Sequence, residues 1–527
     1  MSVDNIVKLV HKLKAGKHDG NNGLTSDCII NGPHKLYVYM SLLYKVMLMH
    51  CYIPKDLYVG TMFPLPKVKG LTCNSDKYRA ITLSNCLLKL LDLIILSSQS
   101  STLYTDALQF GFKQECSTSM CTTMLNEVCR MFVSKRSNVY TLLLDASKAF
   151  DRVHYIKLFE LLINRGMNAM FIRFMLKLYT NQTLRINWQN TLSAEFHVTN
   201  GVRQGGVLSP VLFIVYIDEL LQKLRHSGYG CYVGPHFLGA LAYADDIVLI
   251  SPTLSGLKSM ANICEEFSIE FSILFNGSKS QYCVFHKGSH YGNTTVTFCN
   301  VILSECHVIT HLGHKLYANV KVHDTDDIIA AFYRQYNVFQ ASFKGLPSAI
   351  QSDLFQKYCS SFYGCVLIPF NSCLRKVQIT WRKSLRRVWR LSNRTHCSIV
   401  NCLGSTNCDL HMFVNRFLKL FLTMFNHKAD VIRYMCRMSI FCSLSVLCEN
   451  FLFCCQALDL EQDLLLAKSI HDISSLVKSY CFNYCKDVLS QCNAAVLKEL
   501  CDARDKLTEC ILDSNEIQCI IDDICIN

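Results

Sequence analysis

The stretch LAYADDIVLI, residues 241–250, sets two adjacent carboxylates, Asp245 and Asp246, in the middle of a run that otherwise belongs in a core. Burying a lone carboxylate is costly unless it is paired or holds a metal. The flanks LAY and IVLI suit two strands with the acids at the turn between them. Side chains alternate faces along a strand, so neighbouring acids can serve different positions of one site. Mg²⁺ is bound by one or two carboxylates plus substrate phosphates. A two-metal site for in-line phosphoryl displacement needs carboxylates from separate segments held close together.

A second acid of this kind stands one hundred residues earlier, where LLLDASKAFD (142–151) ends an apolar strand at Asp145. If the two strands are sheet neighbours, Asp145 and Asp245 converge. An Asp after a strand commonly caps a turn; that reading competes for either segment alone and is the weaker one for both together. Between the acids, HYIKLFELLINRG (154–166) has helical spacing and ends at Gly166, a C-cap. LRINWQNTLSAEFHVTN (184–200) alternates like a hairpin, and SPVLFIVYIDELLQKL (209–224) reads as a helix with Ser209 as N-cap and Pro210 at its first position. Strand, helix, hairpin, helix and acid turn predict an α+β fold with one mostly antiparallel sheet. Upstream, KHDGNNGLTSD (17–27) reads as a loop, SLLYKVMLMH (41–50) as a helix and TMFPLPKVKG (61–70) as extended. Beyond about residue 320 the pattern is predominantly helical.

The chain has 527 residues, half of them apolar, which argues against wholesale disorder. Its net charge of +12, from 53 Lys plus Arg against 41 Asp plus Glu, favours an anionic partner, usually nucleic acid. The 30 cysteines have no repeated short spacing, and MSVDNIVKLVHKLKAGK lacks a signal-peptide core. They are read as reduced thiols of an intracellular protein in nucleus or cytoplasm, mostly acting as small hydrophobes, with no disulfide-linked partner. MSIFCSLSVLCENFLFCCQAL (438–458) is split by Glu449 and Asn450 into runs too short to cross a bilayer, so a buried helix is expected and no membrane partner. LRKVQITWRKSLRRVWRLSNR (374–394) carries eight cations. It suits a basic helix on a nucleic-acid duplex, with Arg382, Lys383, Arg386 and Arg387 as phosphate contacts and Trp381 and Trp389 as core anchors. HCSIVNCLGSTNCDLH (396–411) lacks the spacing of compact zinc sites, and Cys481, Cys485, Cys492 and Cys501 carry no metal assignment.

YADD, LLLDASKAFD and GVRQGGVLSPVLF (201–213) together resemble the palm of a reverse transcriptase of the non-long-terminal-repeat (LINE-type) retrotransposons. Further blocks match in family order. KLKAGKHDGNNGLTSD (12–27) is similar to the N-terminal extension motif, LPKVKG and SDKYRAITLSN (65–85) to the fingers, and LQFGFKQECSTS (108–119) to the segment leading into the palm. FNGSKSQYCVF (275–285) and THLGHKLY (310–317) resemble the closing palm motifs. One YADD is weak; this ordered set over roughly residues 12–320 is specific. The resemblance implies a right-hand polymerase of α+β class. It divides the chain into an N-terminal extension and fingers (1–115), palm (116–300, within a reverse transcriptase domain of about 46–320), end of palm and thumb (301–400), and a helical C-terminal region without assigned role (401–527).

The resemblance also implies roles. Asp145 and Asp245 would bind two catalytic Mg²⁺ ions, with Mn²⁺ as an alternative and Asp246 as the third acid. Phe150 stands at the family's sugar gate, where a large ring clashes with a ribose 2′-OH; an ordinary core aromatic is the competing reading. Gln204 and Gly205 match the motif lining the nucleotide pocket and template strand. Arg79 and Lys67 match fingers cations that hold the triphosphate, and Lys279 the lysine that protonates pyrophosphate. Asp151 is read as structural, with a helix N-cap as one role for it. The implied partners are an RNA template, a DNA primer and dNTPs. Two departures stand out. Ala80 replaces the usual proline of the fingers motif, which is expected to loosen that loop. The fingers begin almost at Met1, so the family's upstream endonuclease is expected to be missing, as in a truncated copy or partial gene model. The competing functions are a catalytically inactive or domesticated remnant that binds nucleic acid, and a maturase-like RNA-binding protein.

Overall fold

The computed structural model describes residues 2–18, 23–67, 74–288, 292–397, 400, 409–466, 468–469, 472–473 and 475–477. Helices α1 (Val3–Val10), α2 (Ser26–Ile30), α3 (His34–His50) and α4 (Lys55–Tyr58) open the chain. Strands β1 (Val59–Pro66) and β2 (Tyr78–Leu83) then pair antiparallel, in register from Thr61–Leu83 to Pro66–Tyr78. Helices α5 (Cys86–Ser98) and α6 (Thr118–Ser134) lead to β3 (Val139–Leu144). Next come α7 (Tyr155–Asn164), α8 (Ala169–Thr180), β4 (Thr183–Trp188), the short β5 (Thr191–Leu192) and β6 (Phe196–His197), and α9 (Ser209–His226). The hairpin β7 (Tyr232–Val233) and β8 (His236–Phe237) precedes β9 (Ala240–Tyr243), β10 (Asp246–Ser251), α10 (Leu254–Glu270) and β11 (Gln281–Phe285). Two further hairpins follow, β12 (Thr295–Phe298) with β13 (Val301–Ser304) and β14 (Val308–His311) with β15 (His314–Tyr317).

The expected single sheet is two sheets. The hairpin at 184–200 does form, as β4 with β5 and β6, but β4 joins β1 in parallel, giving a mixed sheet in the order β2-β1-β4-β5. Pro64 and Pro66 are tolerated in β1 because its pairing with β4 ends at Met62, so their missing N–H groups cost that ladder nothing. Ala80 lies inside β2 opposite Pro64, in a regular ladder rather than a loosened loop.

The second sheet, β11-β3-β10-β9, is antiparallel throughout. Leu142, Leu143 and Leu144 of β3 and Ile247 to Ile250 of β10 are all buried, the continuous apolar pattern of strands covered by helices. Helices α6, α9 and α10 supply that cover. Cys121, Cys129, Cys264 and Cys283 pack there as small hydrophobes.

Three local expectations are corrected. Ser209 is the first residue of α9 rather than its cap; Leu208 is the cap residue, and the free N–H groups of Val207 and Leu208 donate to Asp92 Oδ2 at 3.2 and 3.3 Å. Asp151 caps no helix: α7 is preceded by His154, and Asp151 lies in a 3₁₀ turn, Ala149–Arg152. The segment 438–458 is the end of one helix (Asp430–Ser439), a break, and a second helix (Val446–Leu458) started by Ser445, whose hydroxyl accepts the Cys448 N–H at 2.9 Å. Gly166, by contrast, closes α7 in the left-handed conformation, φ +76°.

Past residue 320 the described structure is helical. Helices α11 (Asp326–Phe343), α12 (Ser348–Cys359) and α13 (Phe370–Val388) pack on one another around Phe332, Phe355, Phe362 and Trp381, with the Phe355 and Trp381 rings 4.4 Å apart. The following helices, including Asp409–Phe425, pack on α13 and back onto α6. Asn450, fully buried, accepts the Phe370 N–H at 2.8 Å and donates to the Ile368 carbonyl at 2.9 Å. Among the described residues no helix is long and apolar enough to cross a membrane.

Candidate active site

Strands β3 and β10 are neighbours, and their register pairs Leu144 with Ile247. One step further along that antiparallel ladder puts Asp145 across from Asp246. The two line a cleft of about 130 Å³ together with Lys279, Thr310, His311 and Leu312. Asp145 is held by its backbone. Its N–H donates to Ser280 Oγ at 3.3 Å, and its carbonyl accepts the Asn276 N–H at 2.8 Å. The same tight turn, Gly277–Lys279, carries Lys279 Nζ to 4.0 Å from Asp145 Oδ2.

Asp245 occupies the turn between β9 and β10. Burial raises its pKa and the Asp145 charge adds to this, while its own backbone N–H and the Arg79 charge oppose the rise. Asp246 belongs to an exposed residue, but the cleft walls partly desolvate its carboxyl. That desolvation, with the charges of Asp245 and Asp145, pushes it up to about 6. Three carboxylates thus repel one another, offset in part by the charges of Lys279 and Arg79. Hard oxygen donors in surplus over local cations fit a divalent ion of the Mg²⁺ type. Among the described residues no three His, Cys, Asp or Glu side chains are already drawn together to ligate one.

Phe150 stands in the 3₁₀ turn that follows Asp145. Its ring stacks on Phe213 of α9 at 4.2 Å and takes the edge of Phe112 at 6.0 Å. The segment 201–205 runs beside it: the Val202 N–H donates to the Phe150 carbonyl at 2.9 Å, and Gln204 Nε2 donates to Asp151 Oδ1 at 3.0 Å. On its other side this segment reaches β2, where the Thr82 N–H donates to the Gln204 carbonyl at 2.7 Å. Gly205 has φ +111°, and a Cβ there would come within 2.5 Å of the Thr82 carbonyl oxygen, so only glycine fits. Arg79 is exposed on β2 opposite Leu65. Lys67 directly follows β1, and its charge reaches Asp151.

The structure therefore brings Asp145, Asp245, Asp246, Lys279 and Arg79 into one electrostatic group, with Phe150, Gln204, Gly205 and Lys67 beside it. The four cations expected to contact phosphates lie elsewhere, on α13. Arg386 is a correction: it is buried, and its Nε and Nη2 donate to the Thr395 carbonyl at 3.1 and 2.8 Å, so it clamps a loop and offers nothing to a phosphate. Lys383 and Arg387 are exposed and Arg382 is half-buried. Trp381 and Trp389 are core residues as expected. His396 and Cys397 are described, but Cys402 and Cys408 and the cysteines from 481 onward lie outside the described residues.

Sequence reasoning passed over Gln109, Phe112 and Phe213, although each sits in a motif it quoted. It gave no role to this buried amide and these two rings. It quoted THLGHKLY (310–317) but did not foresee that it forms the β14–β15 hairpin, whose Leu312 reaches the cleft. His311 Nδ1 is 2.9 Å from Thr122 Oγ1, and His314 stacks on Tyr363 at 4.2 Å. Burial lowers the two histidines to about 3 and about 4, so both are neutral.

Comparison with known proteins agrees with this geometry. Residues 65–316 match the model of the family described as reverse transcriptase (RNA-dependent DNA polymerase). The chain is similar to the Pol polyprotein of the type-2 retrotransposable element R2DM of Drosophila melanogaster, 29% identical over 227 residues, which cover 43% of this chain and 21% of that protein. It is also similar to the RNA-directed DNA polymerase from mobile element jockey of Drosophila funebris, 22% identical over 323 residues, 59% of this chain and 35% of that one. The chain thus spans about a fifth to a third of the length of these relatives. Among solved structures, telomerase from Candida albicans in complex with a telomeric RNA fragment aligns over 76% of this chain and 68% of its own, at 10% identity and a TM-score of 0.36. A family match centred on the acid-bearing sheet and relatives from R2 and jockey elements agree: residues 65–316 match the reverse transcriptase family and are similar to the polymerases of non-long-terminal-repeat retrotransposons.

Proposed function

We propose that the protein is an RNA-directed DNA polymerase that extends a DNA primer along an RNA template by two-metal nucleotidyl transfer. The observation that carries this reading is the β3–β10 register, which sets Asp145 across from Asp246 and beside Asp245 within the matched domain. Asp145, Asp245 and Asp246 are the residues to hold Mg²⁺, or Mn²⁺ in its place. Bound there, the ions favour ionisation of the attacking hydroxyl and neutralise charge on the phosphates.

The primer 3′-hydroxyl attacks the α-phosphate of a dNTP; a new P–O bond forms to the primer and the bond to pyrophosphate breaks. Arg79 and Lys67, both on the β1–β2 hairpin, offset the triphosphate's charge from the fingers side. Lys279 stands beside Asp145 and supplies the proton to the departing pyrophosphate. Phe150, backed by Phe213, blocks the place of a ribose 2′-OH. Gln204 and Gly205 lie between palm and fingers, where the base pair being formed is lined. Lys383, Arg387 and Arg382 on α13 face the duplex as thumb cations, Arg386 excepted. The division into extension and fingers, palm, thumb and C-terminal helices follows the same reading. Its substrates place the enzyme inside the cell, in nucleus, cytoplasm or both.

The test is extension of a DNA primer on an RNA template, with dNTPs against rNTPs and Mg²⁺ against EDTA. The expected result is metal-dependent incorporation of dNTPs with rNTPs strongly disfavoured. Tight template binding with no incorporation would leave a nucleic-acid-binding remnant instead.

A further inference from the structure

The turn that carries Asp245 is strained. Ala244 has φ +60°, the left-handed conformation that a residue with a Cβ rarely adopts. Two-residue turns of this kind favour Gly, Asn or Asp at such a position, and alanine has no side-chain polar group to support it. The support comes from outside. Gln109, completely buried, accepts the Ala244 N–H on Oε1 at 2.8 Å, and its Nε2 stands 3.4 Å from the Ala244 carbonyl oxygen as donor. Oε1 also accepts the Gly111 N–H at 2.9 Å, which fixes the carboxamide in one orientation.

The backbone around Gln109 is tied to the same strand. The Phe110 N–H donates to the Ala242 carbonyl at 2.7 Å, and the Ala242 N–H donates to the Leu108 carbonyl at 2.9 Å. Residues 108–111 therefore run as a short parallel rung along β9. Gly111 permits this approach, because a Cβ there would run into the backbone nitrogen of Ala244. The rung continues into Phe112, whose ring edge meets Phe150.

We infer that Gln109 is the positioning residue of the acid turn: its amide serves both backbone groups of Ala244, holds the left-handed conformation and so aims Asp245 at the metal site. This rests on the polymerase reading for its consequence in catalysis, but not for its consequence in metal binding.

The experiment compares the full chain with Gln109→Leu, Gln109→Glu, Ala244→Gly and the double variant Gln109→Leu/Ala244→Gly. Two quantities are read: Mn²⁺ affinity by electron paramagnetic resonance, without nucleic acid, and the Mg²⁺ concentration for half-maximal primer extension. Gln109→Leu is expected to weaken Mn²⁺ binding and raise the Mg²⁺ requirement by roughly tenfold, the scale for losing a group that orients metal ligands. Adding Ala244→Gly should restore part of both, because glycine adopts the turn without support. Should Gln109→Leu not fold, Gln109→Glu keeps the acceptor for both N–H groups, loses only the donor, and is expected to show a smaller loss of the same kind. A folded Gln109→Leu or Gln109→Glu with the parent's Mn²⁺ affinity and Mg²⁺ requirement would overturn the inference. If the parent extends no primer yet Gln109→Leu still weakens Mn²⁺ binding, the positioning role stands and the polymerase reading falls.

Discussion

The proposed sugar-gate role of Phe150 depends on its neighbours. A ring that is to exclude a hydroxyl must not swing away, and stacking on Phe213 at 4.2 Å keeps it in place. Replacing Phe150 with Val should raise rNTP use relative to dNTP use by about 10- to 100-fold, the scale of small steric discriminations in a pocket; single-nucleotide incorporation kinetics measure it. Asp246 carries a second residue-scale consequence. Its folded pKa of about 6 lies above the ordinary carboxylate value, so between pH 4 and 6 the folded state binds more protons than the unfolded one. Stability of the metal-free protein should therefore fall as pH rises through that window, and Mg²⁺, which requires the ionised acids, should stabilise the protein more at pH 8 than at pH 5. At a hundredfold excess over its dissociation constant the gain is about 2.7 kcal/mol. Thermal melting with Mg²⁺ and with EDTA at both pH values checks this, and an equal shift at both would contradict it. Asp145, Asp245 and Asp246 were legible in the sequence because acids are conspicuous in apolar strands. Gln109 was not, because an uncharged amide announces itself only when its partners are known.

At the scale of elements, the segment 201–205 joins the turn after β3 to strand β2, and of its two glycines Gly205 makes the tighter approach. Gly205→Ala should cost roughly 2 kcal/mol or more, through the clash with the Thr82 carbonyl and the positive φ. It should also lower extension activity; denaturant melts and extension assays report the two effects separately. The helices were readable from their spacing, as at α7 and α9. What periodicity could not show was which strands pair. The hairpin at 184–200 has the alternation of any antiparallel ribbon, and only the parallel contact of Thr183 to Ile186 with β1 moves it out of the acid-bearing sheet. Arg386 failed for a related reason. Six of the basic stretch's eight cations lie on α13 and look alike in sequence, and helical spacing does not show that the Thr395 carbonyl, nine residues on, takes Arg386 inward. Arg386→Ala should accordingly destabilise the fold. Lys383→Ala and Arg387→Ala should each leave melting unchanged and reduce the salt slope of primer–template binding by about one. Fluorescence anisotropy across a salt series distinguishes them.

Over the whole molecule, the C-terminal helices are wired to α6, which covers the acid-bearing sheet. Glu127 of α6, fully buried, accepts the Leu447 N–H at 3.1 Å at the start of the helix Val446–Leu458, and Arg130 donates to the Leu444 carbonyl at 2.9 Å. These contacts join residues more than three hundred positions apart, which no local pattern foretells. They tie the helix Val446–Leu458 to α6 and, through α6, to the sheet that holds the acids. The proposed role of Asp145, Asp245 and Asp246 is DNA synthesis on an RNA template. The measurement that tests it most directly is dNTP incorporation from a DNA primer annealed to RNA in Mg²⁺, by the parent protein beside Asp245→Asn. The parent should incorporate dNTPs and the variant should lose at least about a thousandfold, with template binding retained, because a charge needed at the transition state is removed. Equal incorporation by both, or none by a folded and template-binding parent, would contradict it.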